Sequence, residues 1–176
     1  MARFPSPRSA RDFARELVGI VFPSDEHSLR PPAGLERDFF VDQVRFLLTF
    51  TVDYGLMLGM GPRLEHNLLL DEFYELMDQT LHARSPNDRV WENLRYHLQL
   101  YARAAEPYQP KPDPQSFEGE IRVPRKLPPA IAKEFVRNCR RPFDEALVTF
   151  AAKVFEDNLR YVAQLARDTP IQGQII

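Results

Sequence analysis

Between about Leu35 and Met60 the polar residues are spaced in a way that leaves this chain few architectures to choose from. Asp38, Asp42, Arg45, Thr49 and Asp53 follow one another at intervals of three and four, which stacks them on one side of a helix. The remaining faces are nearly all apolar, with FLLTF at 46–50 and LMLGM at 56–60. A helix of that length runs roughly 39 Å at 1.5 Å per residue. Apolar on all sides but one, it belongs near the middle of a bundle.

The rest of the chain repeats the helical period. Ser9 with Asp12 three residues later forms a capping box that opens a first helix carrying Phe13, Leu17, Ile20 and Val21 inward, and Pro23 ends it. Gly61-Pro62 breaks the chain after the central helix. A third helix over about 63–83 turns Leu69, Phe73, Leu76 and Met77 inward. Ser85-Pro86-Asn87-Asp88 is a second capping box, starting a helix with the stripe Trp91, Leu94, Leu98, Tyr101 and Ala105. A fifth helix covers about 129–140. Pro142 then either kinks one long helix or starts a sixth. That last segment reaches about Arg167, with Phe143, Leu147, Phe150, Val154, Tyr161 and Leu165 as its inward set. Strand alternation bounded by Asn-Gly or Asp-Gly is missing. The expectation is an all-α bundle of five or six helices in a single domain, 1–176.

Glycine is scarce (7 residues) and proline abundant (16), and the prolines fall between periodic segments. Seven of them lie in 106–129, a strap with extended or polyproline character that can wrap a partner. A formal charge of −2 gives no global pull toward nucleic acid or an anionic membrane. The single cysteine, Cys139, excludes an intrachain disulfide and a multi-cysteine zinc site, so a reducing cytoplasm is the expected setting. No secretory h-region is visible near the start, where Asp12, Arg15 and Glu16 interrupt it. The apolar stretch 39–61 carries Asp42, Arg45 and Asp53, too much charge for a membrane span of about 20 residues.

Phosphate loops, dinucleotide fingerprints, HExxH, GxSxG and CxxC are all missing, which removes several enzyme classes from the front rank. Glu75, Asp78 and His82 share a face of the third helix with Asp71 and form a weak metal candidate; the paired Glu-x-x-His pattern of di-iron bundles is not present. Asp38 and Asp42 have the DxxxD spacing with which some all-α isoprenoid enzymes hold magnesium, but those enzymes need a second acidic helix and a far longer chain. Asp53, deep in an apolar run, must face water, pair with an Arg or Lys, or line a pocket with a raised pKa. Gly55 and Gly59 permit close approach of a helix or a ligand. A pocket there would be lined by Asp53, Tyr54, Gly55 and Gly59, with His97 and Tyr101 facing it. Cations beside Cys139 could lower its thiol pKa, although no base accompanies it.

Charge placement is the strongest asymmetry. From Glu65 to Asp78 there are five acids and no Lys or Arg, whereas 122–141 holds seven basic residues against Glu134 alone. Lys133, Arg137 and Arg140 share one helical face. Aromatic residues are not interleaved there as nucleic-acid binding would want, so the simpler match is to the acidic face, within one subunit or between two. The sequence thus points to a non-catalytic helical interaction module that associates with itself. The alternatives are a small-molecule or cofactor-binding bundle of undefined ligand and, more weakly, an enzyme using buried carboxylates.

Overall fold

A computed structural model describes residues 8–61, 63–84, 89–109, 121 and 123–171. Six α-helices follow in order: α1 (Ala10–Val21), α2 (Arg37–Met60), α3 (Leu64–Arg84), α4 (Arg89–Ala105), α5 (Leu127–Asn138) and α6 (Glu145–Asp168). Single 3₁₀ turns occupy Glu26–Ser28 and Glu106–Tyr108. Among the described residues the all-α bundle is therefore as expected, and its only β feature is an isolated bridge between Arg8 and Ile171.

Local chemistry accounts for the ends. Ser9 Oγ accepts the Asp12 backbone N–H at 3.1 Å and donates to the Asp12 carboxylate at 2.7 Å, the predicted capping box. That hydrogen bond, ahead of the nearby arginines, lowers the Asp12 pKa. Gly61 closes α2 at φ 64°, a conformation glycine adopts without a Cβ penalty, and its N–H bonds to the Met57 carbonyl. The second capping box lies at 85–88, and most of the proline-rich strap at 110–120 and 122, outside the described residues. Helix α5 starts at Leu127, two residues before the expected start, because Pro128 and Pro129 sit in the first turn, where no N–H is required. Pro142 separates two helices. Arg140 turns the chain at φ 58°, and Asp144 caps α6 by accepting the Leu147 N–H at 2.9 Å.

Helix α2 is the hub, packing chiefly on α6 and also on α4, α1, α3 and α5. Fifteen of its residues are buried, so it is covered nearly all round. The two longest helices run side by side in the same direction. Phe40 lies near Phe150 and Phe50 near Phe155, while Gly55 meets Val162 and Gly59 meets Ala166. Around them α5 packs on α6 and α4, and α1 packs on α3. The polar stripe of α2 lies under the turn at Glu26: Arg45 bonds Glu26 at 3.0 Å through Nε and Asp42 at 2.8 Å, and stacks on Phe22.

The inward face of α6 differs from expectation. Its buried set is Leu147, Ala151, Phe155, Leu159, Val162, Ala163 and Ala166. Phe143 precedes the helix and is 94% exposed, and Tyr161 is half exposed, its hydroxyl 3.3 Å from Glu16. Ala163 and Ala166 let α2 come close on this face, and Leu147, Phe155 and Leu159 fill the core along the rest of it. A Cβ on Gly55 would stand 2.7 Å from Val162 Cγ1; one on Gly59 would overlap the Ala163 carbonyl oxygen and stand 2.8 Å from Ala166 Cβ. Val162 Cβ, 2.9 Å from the added Cβ on Gly55, moves only with its backbone, so both sites are tight, and the overlap at Gly59 is the more severe. Replacing Gly59 with Ala is expected to cost about 3 kcal/mol despite better helix propensity, and Gly55→Ala about 2 kcal/mol. Urea denaturation of the two variants checks the order.

Candidate functional site

The residues that the sequence grouped around Asp53 lie on different sides of α2. Gly55 and Gly59 face α6, whose side chains fill the space a ligand would need. Tyr101 is fully buried in the core, stacked on Phe50 at 5.4 Å. His97 stacks on Phe46 at 4.7 Å, with Nδ1 2.7 Å from the Asn93 carbonyl oxygen. The Tyr54 hydroxyl, its pKa pushed up to about 12 by burial, donates to the Tyr108 carbonyl at 3.3 Å and so anchors the turn after α4.

Asp53 finds its partner on α3, and it is neither Arg nor Lys. The Tyr74 hydroxyl donates to its carboxylate at 2.7 Å, with His66 close by. Burial raises the Asp53 pKa; the Tyr74 hydrogen bond and His66 oppose that in smaller measure. Burial also lowers the His66 pKa, and its Nε2 is buried without a hydrogen-bond partner among the described residues. Two partly desolvated groups thus resist charging from opposite directions. Asp53 adds stability below its unfolded value of 3.8 and loses it as pH rises through the raised native pKa. His66 adds stability above 6.5 and loses it as pH falls through the lowered native pKa. Asp53→Asn keeps an acceptor for Tyr74 without the buried charge. Its melting temperature is expected to exceed that of the parent at pH 7, with the gap closing as pH falls through the raised native pKa and gone by 3.8. Tyr74→Phe is expected to cost about 2 kcal/mol at pH 7 by leaving the carboxylate unpartnered.

The metal candidates on α3 are tied to ordinary neighbours. Glu75 accepts from Gln79 at 3.0 Å and lies 3.8 Å from Arg11, while His82 Nδ1 is 3.2 Å from Asp78 Oδ1. Asp42, the second acid of the DxxxD pair, is bound by Arg45. Among the described residues no group of three or more His, Cys, Asp or Glu converges. Cys139 is wholly buried, and burial together with Asp144 pushes its thiol up to about 12, contrary to a depressed value.

The basic residues of α5 do converge, with help the sequence did not announce. A cleft of about 470 Å³ opens between the end of α4 and α5. Arg103, Arg125, Lys126, Lys133 and Arg137 line it with one carboxylate, Glu134. Ala104, Pro107, Tyr108, Pro129 and Ala130 form the rest of the lining. Glu134 is engaged by Arg137 at 3.3 Å, and no ion pair involves the other four cations among the described residues. Arg125 and Lys126 also stand at the start of α5, whose first turn carries no acid. Helix dipoles favour acids at that end by about 0.3–1 kcal/mol each, so two cations there work against the fold. Arg140 departs from the cleft and lies over the Phe39 ring at 6.0 Å.

Arg103 and the turn at Glu106–Tyr108 were invisible as site residues because they lie 14 to 19 positions before the basic strip begins at Arg122. No helix among the described residues is long and apolar enough to cross a membrane. Comparison with protein-family models, curated proteins and solved structures finds no match to the chain.

Proposed function

We propose that the chain is a non-catalytic helical interaction module that binds the acidic face of a second copy of itself through the basic side of α5. The observation that carries this reading is the separation of the two charge clusters. The acids of α3 lie on a helix that packs on α1, whereas Lys133 and Arg137 lie on a helix that packs on α6 and α4, with Arg140 two residues past its end rather than on its face as the sequence suggested. Among the described residues no ion pair joins the two clusters within one subunit. Glu72 and Glu75 are near Arg11, and Asp71 remains exposed with no such neighbour among the described residues.

Phe143 supports the same surface. It projects from the turn just after Arg140 and Arg141, 94% exposed, which suits an apolar anchor beside a cationic rim. Interfaces commonly combine a buried aromatic with charges that set orientation and association rate. A cytoplasmic setting accords with the reading and is part of the proposal.

Reversing Lys133, Arg137 and Arg140 together to Glu is expected to convert the assembly to monomer, read by native mass spectrometry and sedimentation velocity. Asp71→Lys with Glu75→Lys is expected to do the same. Mixing the two variants then restores a one-to-one pair. A wild-type chain that is monomeric at tens of micromolar, or a triple variant of unchanged mass, removes the reading.

A further inference from the structure

The cleft between α4 and α5 has a composition that protein docking alone does not explain. Five cations and one carboxylate give it a formal excess of four positive charges around about 470 Å³. That volume lies in the range of pockets that hold a single small molecule. The charges come from three separate places in the chain: Arg103 near the end of α4, Arg125 and Lys126 at the start of α5, and Lys133 and Arg137 along it. All five side chains are exposed, so none is kept there to satisfy the core. Like charges gathered in one concavity repel one another, and the single acid among the described lining residues is engaged by Arg137. Such a group is stabilised by an anion of high charge density.

We infer that the cleft binds a small molecule bearing a linear di- or triphosphate group, held by Arg103, Arg125, Lys126 and Lys133. A mono-anion would leave most of the repulsion in place. An acidic peptide spreads one charge over each residue, whereas a phosphate chain concentrates several within a few ångströms. Arginine forks match phosphate oxygens two at a time, and lysines add point charges around them. Pro107 and Pro129 make that part of the wall stiff, since their φ angles are fixed. Tyr108 also lines the cleft while packing against the core, and its backbone is tied to α2 by the Tyr54 hydroxyl. The same phosphate chemistry can come from a nucleotide, whose base would rest on Tyr108, or from free polyphosphate. Lys133 belongs both to the cleft and to the α5 edge, so a bound phosphate chain would compete with an acidic protein surface for it. The ligand assignment itself does not depend on self-association.

Isothermal titration of the full chain with ADP, AMP and sodium tripolyphosphate at 150 mM salt tests it. ADP or tripolyphosphate is expected to bind at least tenfold more tightly than AMP. Arg103→Gln and Lys126→Gln, neither part of the association surface, are each expected to weaken binding about tenfold while circular dichroism is unchanged. An ADP advantage erased by Tyr108→Ala identifies a nucleotide; equal binding of ADP and tripolyphosphate identifies the phosphate chain alone. No binding of either up to 1 mM overturns the inference. So does unchanged affinity in both variants, or displacement of the phosphate compounds by a lower concentration of poly-glutamate, which would assign the cleft to acidic peptides. A monomeric wild-type chain that still binds ADP would remove the association reading and leave this one standing.

Discussion

The contact of α2 with α6 is the constraint on which the other helices depend. Two long helices lie side by side and approach so closely at Gly59 that the Ala163 carbonyl occupies the place of a side chain. Close approach of that kind is possible only where both partners are small, and Ala163 and Ala166 supply the other half. Once the pair is fixed, the outward faces of α2 have set positions. The aromatic cluster of Phe40, Phe135 and Phe150 then closes one side and Phe50 with Tyr101 another. The hub is therefore built from absence of volume, and the large side chains fill what remains around it.

Much of this was legible in the residues. The stripe from Asp38 to Asp53 identified α2 as the central helix, and the Ser9–Asp12 pair marked the start of α1 through the bonds it makes. Gly55 and Gly59 announced a close approach but not its partner, since a helix and a ligand make the same demand on a backbone. The phase of α6 was misleading. Phe143 and Tyr161 were expected inward but are exposed, while the buried face combines Leu147, Phe155 and Leu159 with Ala163 and Ala166, the small residues at the close approach of α2. Tyr74 could not be foreseen as the partner of Asp53, since a search for ion pairs looks for Arg or Lys and passes over a phenol. The cleft needed a tertiary contact between α4 and α5 that no local pattern encodes.

The distribution of charge follows a consistent logic. Where charges serve the fold, they are paired and partly covered, as at Arg45, Glu26 and Asp42 beneath the turn after α1. The cations at the α4–α5 cleft are exposed, mutually repulsive and placed against the dipole of α5. Such an arrangement gives little to stability and is easily lost unless something outside the fold makes use of it. Asp53 and His66 are the intermediate case: both are held near one another at a desolvation cost that Tyr74 only partly offsets.

The α2–α6 contact also bears on how the chain reaches this state. Gly59 and Ala163 are about a hundred residues apart, and α3, α4 and α5 all lie between them in sequence. The central pair cannot form as a local hairpin; it waits until the intervening chain has closed a long loop, at an entropic cost that rises with loop length. Most helical bundles fold quickly because neighbours in sequence are neighbours in space. Here the α5–α6 pair joins sequence neighbours, but the α1–α3 and α2–α6 pairs each reach across intervening helices. A helical protein of this build is expected to fold more slowly than a bundle packed only between sequence neighbours.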